Sequence, residues 1–189
     1  MSDSGTQLSR HIWSLTDLLR GDFKTSEYGS VILPFTVLRR LDCLLEPTRQ
    51  EVLDAAVKWA DNGPHSDSFR DVALRRASGH PFFNTSRYAL DAVVAAPSDS
   101  VALLREYVGG YSENVREVFQ RFEFDRTVER LHHAGLLYAV VSRFLSMDLG
   151  APLSAGDMGF VFENLVRRSA DQAGGTGADE HVTPVTLAD

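Results

Sequence analysis

The sequence predicts an all-α fold, and three observations carry that prediction. Apolar residues recur at three- and four-residue spacing over most of the chain, Gly and Pro turn signals separate those stretches, and only one short segment reads as anything else. With 189 residues, 43% of them apolar and 24% charged, the chain can bury one main core and has an ordinary globular composition.

The first helix is marked by Leu8, Ile12, Leu15, Leu18 and Leu19, which share one face, with Gly21 as the stop. Trp13 widens that stripe and is expected to pack into the core. Residues 26–45 are apolar on more than one face, which predicts a central buried helix. Pro34 lies inside it and must remove one backbone hydrogen bond, so either a kink or two abutting helices is expected. Glu46-Pro47 breaks the chain, and Pro47 is suited to open the next helix, residues 48–60, which ends at Asp61-Asn62-Gly63-Pro64. Ser66 or Asp67 caps a shorter helix that holds Phe69, Val72 and Leu74 and stops at Gly79-His80-Pro81.

Residues 82–88 are the exception. Clustered aromatics among polar turn formers predict a small β-hairpin or an ordered loop there. Helices resume after Leu90, at 101–108, 114–122, 124–133, 136–149 and 158–170, with Asp99, Ser100 and Ser112 as cap candidates and Gly109-Gly110 as a stop. Beyond them, Gly174-Gly175-Thr176-Gly177-Ala178 predicts a flexible joint. Its spacing fits neither a dinucleotide nor a P-loop glycine motif, and no lysine follows.

Charge and composition narrow the function. A net charge of −7 denies the whole chain the basic footprint of an autonomous DNA binder, although Arg39-Arg40, Arg75-Arg76 and Arg167-Arg168 leave room for local contacts. No apolar run suits a membrane span and the start has no signal-peptide pattern, so a cytoplasmic location away from membranes is expected. The single cysteine, Cys43, sits among leucines as a small buried thiol would. His132 and His133 are neighbours on a helix and point about 100° apart, so they are not placed to share a metal, and no metal site is expected. His65 and His80 fall in turns and are expected at the surface. No Gly-x-Ser-x-Gly elbow and no nucleophile beside a base stands out, which makes an interaction role a better fit than catalysis.

A series of segments in linear order goes further. It runs Leu18-Leu19-Arg20-Gly21, Glu27-Tyr28, Val31-Ile32-Leu33-Pro34, Leu38-Arg39-Arg40-Leu41-Asp42 and Leu45-Glu46-Pro47. It continues with Pro81-Phe82-Phe83-Asn84-Thr85-Ser86, Asn114-Val115-Arg116, Leu136-Leu137-Tyr138, and Met158-Gly159-Phe160-Val161-Phe162-Glu163-Asn164-Leu165. This series resembles the N-terminal part of the modification subunits of type I restriction-modification DNA methyltransferases. The resemblance implies a helical N-terminal domain at 1–172, a linker at 173–179 and the start of the methyltransferase domain at 180–189.

The last stretch, Glu180, His181, Val182, Thr183, Pro184 and Val185, resembles the family's segment that opens the catalytic domain and touches S-adenosylmethionine. Val182 stands where an aromatic is common and Val185 where a basic residue is common. The glycine-rich cofactor loop and the Asp/Asn-Pro-Pro-Tyr/Phe motif that holds a flipped adenine do not occur in the sequence. The implied full-length parent is an adenine-N6 methyltransferase using S-adenosylmethionine. Its implied partners are a specificity subunit, a second modification subunit, a restriction subunit in the complete system, and double-stranded DNA. For this chain the resemblance implies assembly and closure around DNA without catalysis, with Arg39, Arg40, Arg167 and Arg168 as contact candidates. Exchanging Arg39 and Arg40 for glutamate is then expected to weaken the complex more than the fold. A free-standing helical adaptor is the alternative reading.

Overall fold

The computed structural model describes residues 3–60, 67–150 and 153–174. Among the described residues the regular structure is helical, with no strand beyond isolated bridges. The elements are α1 (Asp3–Trp13), α2 (Thr16–Leu19), α3 (Tyr28–Leu45), α4 (Arg49–Ala60), α5 (Asp67–Ser78), α6 (Ala92–Ala95), α7 (Ser100–Gly109), α8 (Glu113–Arg121), α9 (Phe124–His133), α10 (Leu137–Leu145) and α11 (Ala155–Gly174).

Helix α3 is the axis of the molecule because its sequence is apolar nearly all round. Val31, Ile32, Phe35 and Leu38 are buried, and α1, α9, α10 and α11 pack about it. Phe35 stacks on Phe144 of α10 at 5.7 Å between centroids and tilts against Phe124 of α9 at 5.0 Å. The first expected helix is two elements, since the chain turns at 14–15 before α2, yet Ile12, Leu15 and Leu19 still reach the common core.

Pro34 does not split α3, which runs unbroken from Tyr28 to Leu45. The carbonyl one turn back, that of Ser30, loses its intrahelical donor, and Thr127 Oγ1 of α9 reaches it at 3.5 Å. A neighbouring helix thus partners the group that the proline frees. Gly29, one position before Ser30, lies so close to α11 that a Cβ would fall 1.8 Å from Ser169 Oγ. Glycine is what lets α3 and α11 touch there.

Residues 82–88 form an ordered loop rather than a hairpin. Instead of folding back on themselves, they pair with the α7–α8 junction. Thr85 N donates to Gly110 O at 2.8 Å, Ser112 N donates to Phe83 O at 3.0 Å, and Asn84 and Tyr111 form an isolated antiparallel bridge. The sequence signal for extended backbone is correct, but the partner is distant in sequence. Phe83 also fills a second, smaller core with Val52 of α4 and Leu74 of α5. The α4–α5 pair therefore has a small core of its own and joins the main body through residues 46–48, which continue α3 into α4, and through this loop.

Candidate interaction site

Four segments converge on the C-terminal half of α3: the connection from α10 to α11, the loop 82–88, the start of α4, and α7. Arg39 Nε donates to Met147 O at 2.9 Å, and its Nη1 donates to the Asp42 carboxylate one turn along the helix. Arg40 Nη1 donates to the carbonyls of Leu149 and Gly150, the latter at 2.6 Å, and Nη2 donates to Leu153 O at 3.2 Å. A guanidinium suits this task because its fork of donors can serve several carbonyls of an irregular connection that has no ladder of its own. Both arginines are half-buried. They fasten the α10–α11 connection to α3.

Asp42 passes the network inward. Tyr107 Oη donates to Asp42 Oδ1 at 2.6 Å. With that proton committed, the 3.2 Å contact between the Tyr107 and Tyr111 hydroxyls must be donated by Tyr111. Burial, the largest influence on each, pushes both phenols above their ordinary range, so they remain neutral donors. Asn84 Nδ2 donates to Tyr107 O at 3.0 Å while its Oδ1 accepts from Ser86 N at 2.8 Å, and Arg49 Nη2 donates to Ser86 O at 3.0 Å. The Pro81–Ser86 motif owes its polar composition to this node.

Above the network lies a cleft of about 230 Å³ that Arg39, Asp42, Glu46, Arg49, Asp91 and Tyr107 help to line. Arg39 and Tyr107 both donate to Asp42 there, and Arg49 donates to Ser86 O. The arrangement holds elements together and lacks the features of acid–base chemistry. Other candidates for chemistry fare no better. Cys43 is buried, and that burial raises its thiol pKa, the wrong direction for a nucleophile. The His132 and His133 rings are exposed and perpendicular, with centroids 6.1 Å apart. Among the described residues, no group of three His, Cys, Asp or Glu side chains could hold a metal ion. His80, expected at the surface, is half-buried, stacks on Phe82 and lies 3.2 Å from Leu44 O through Nε2. His65 lies outside the described residues.

The cations have also been put to work inside the fold. Arg105 of α7 grips Asp125 and Glu129 of α9, and Arg130 of α9 forks onto Glu27 at 2.9 and 3.2 Å while covering the Phe23 ring. Arg20, Arg75, Arg87 and Arg126 pair with nearby carboxylates, and Arg49 and Arg116 donate to carbonyls. What remains is an acidic helical body whose basic pairs are largely spent on itself. Residues 8–144 of this body match the family model described as the HsdM N-terminal domain.

The chain belongs to the HsdM N-terminal domain family. HsdM is the modification subunit of type I restriction-modification systems, and the matching model describes its N-terminal domain, which is distinct from the catalytic one. No curated protein and no solved structure matches the chain significantly. As an HsdM N-terminal domain the chain extends past the match through α11, where the second expected basic pair lies. Arg167 is exposed and donates to Asn164 Oδ1 at 2.6 Å, whereas Arg168 is half-buried. Helix α11 runs to Gly174, so most of the expected linker and all of Glu180, His181, Val182, Thr183, Pro184 and Val185 lie outside the described residues. No described helix is long and apolar enough to cross a membrane.

Of the three large apolar residues on α5, Leu74 is buried, whereas Phe69 and Val72 are 68% and 64% exposed. The helix does bury a stripe, but it is the one that carries Leu74, Ala77 and Ser78. Helical spacing alone could have flagged this, because Phe69 and Val72 share a face that Leu74 does not.

Proposed function

We propose that this HsdM N-terminal domain serves assembly and closure. It would bring the modification subunit against the specificity subunit and a second modification subunit and help the complex clasp double-stranded DNA. Methyl transfer from S-adenosylmethionine to adenine N6 would fall to the catalytic domain of the full-length parent, with recognition of sequence by the specificity subunit, in the cytoplasm. The observation that supports this most is the fate of the cations: in a chain of net charge −7, arginine after arginine is consumed by internal carboxylates and carbonyls. Such a surface lacks the phosphate-neutralising stripe of an independent DNA binder, and it suits a domain that meets DNA through its partners.

The test compares three preparations for DNA binding by gel shift and for adenine methylation: the chain by itself, the full-length modification subunit with its specificity subunit, and that complex with residues 1–174 deleted. The expected result is no activity from the chain by itself and an assembled, active complex that deletion disables. Adenine methylation by the isolated chain would refute the proposal, as would a deleted complex that assembles and binds DNA like the intact one.

A further inference from the structure

The arm formed by α4 and α5 presents a face that the main body leaves uncovered. Phe69, Val72 and Arg76 fall at i, i+3 and i+7 along α5 and are all exposed, opposite the stripe that packs on α4. Large apolar side chains gathered this way mark an interaction surface more often than scattered single ones do.

A cleft of about 710 Å³ adjoins the stripe, between α5, the loop at Phe83 and Thr85, and the start of α8. Val72 and Arg70 line it, and Arg70 Nε is buried there with no hydrogen-bond partner. A desolvated guanidinium N–H without an acceptor is costly, and a carboxylate is its natural complement. The other charged groups at the cleft are largely committed. Asp71 binds Arg75 at 2.6 Å, and Arg116 donates to Tyr111 O at 3.1 Å. Glu113 is the remaining carboxylate in the lining, set against Arg70, and Arg76 follows one turn after Val72 on α5; among the described residues neither arginine forms an ion pair. The α5 face is therefore locally cationic on an acidic chain.

We infer that the outer face of α5 and this cleft dock an amphipathic helix of the specificity subunit, apolar where it covers Phe69 and Val72 and bearing a carboxylate that reaches Arg70. The inference rests on the assembly role proposed above and names the surface that performs it. Nucleic acid would satisfy the arginines but leave the phenyl ring and Val72 in water, whereas a helix laid into the groove covers both kinds of group. A two-fold contact with a second copy would set this cationic face against itself, which like charges oppose.

The test uses the full-length modification subunit co-expressed with the specificity subunit. A photoreactive p-benzoylphenylalanine placed at position 72 should cross-link to an apolar and acidic helix of the specificity subunit. The double variant Phe69→Asp/Val72→Asp should weaken capture of that subunit by at least about tenfold, and Arg70→Glu should weaken it further, as truncation of a central anchor does. The double variant should melt like wild type because Phe69 and Val72 are solvent-facing. A wild-type complex that forms while position 72 cross-links to nothing, to DNA or to a second copy overturns the inference and leaves the assembly role intact. Undiminished capture by the double variant does the same. Failure of the wild-type subunits to associate at all overturns the assembly role and the inference with it.

Discussion

Replacing Arg40 with methionine separates a fastening residue from a contact residue. Methionine keeps much of the aliphatic stem and removes the donors to Leu149, Gly150 and Leu153, three carbonyls in the connection that positions α11. A hydrogen bond from a charged donor contributes about 1.5–3 kcal/mol net when well shielded. The site is half-buried, so water recovers part of each loss and the expected cost is about 3 kcal/mol in all. For a chain of this size that corresponds to a fall in melting temperature of roughly 6–12 °C. Urea titration followed by circular dichroism measures the change in stability, and amide hydrogen exchange should show α11 losing protection before α3 does. Arg167→Met serves as control, since that exposed side chain meets only Asn164, and its effect should stay within about 0.5 kcal/mol. Equal stability of the Arg40 and Arg167 variants, coupled with a loss of subunit capture only in the former, would refute the fastening role and restore Arg40 as a contact.

Two further perturbations probe the node beneath the cleft. Gly110→Ala would put a methyl group 2.4 Å from Asn84 Oδ1 and 2.5 Å from Ser86 N, so the loop 82–88 must withdraw, at an expected cost of about 2–3 kcal/mol; an unchanged urea midpoint would show that the loop yields freely. Tyr107→Phe deletes the 2.6 Å bond to Asp42 and strands the Tyr111 hydroxyl, for about 2 kcal/mol at neutral pH. Because the folded state raises the Tyr107 pKa, its contribution is present below the ordinary phenol value of 10.0 and is lost as pH rises beyond it. The variant should accordingly lose stability less steeply than wild type above pH 10; parallel alkaline limbs in pH-dependent melts would count against the assignment.

The helices were legible in the sequence because one-dimensional period and punctuation encode them. The nearly all-round apolarity of residues 28–45 marked α3 as central, and it is. What escaped was anything decided by a partner distant in the chain. Residues 82–88 suggested a local hairpin or an ordered loop, and the loop that forms takes its hydrogen-bonding partner from the 110–112 junction. Pro34 suggested a kink or two abutting helices, yet α3 is one helix and Thr127 of a later helix reaches the carbonyl that the proline frees. Basic pairs look alike in sequence whether they face solvent or serve a neighbouring loop. Nothing local distinguishes Arg40, with its three carbonyls, from Arg167. For the tail at 180–189, which carried the cofactor reading, the described structure is silent because it ends at Gly174.

Two of the segments through which the chain resembles its family are joints of the fold. Leu38-Arg39-Arg40-Leu41-Asp42 holds the α10–α11 connection and receives Tyr107, and Pro81–Ser86 ties the α4–α5 arm to α7 and α8. These residues identify the architecture, and being spent on it they are poorly placed to contact anything else. A partner-binding surface should then be sought where side chains defy the packing logic, exposed although apolar or buried although unpaired. Phe69, Val72 and Arg70 meet that description together, on the α4–α5 pair.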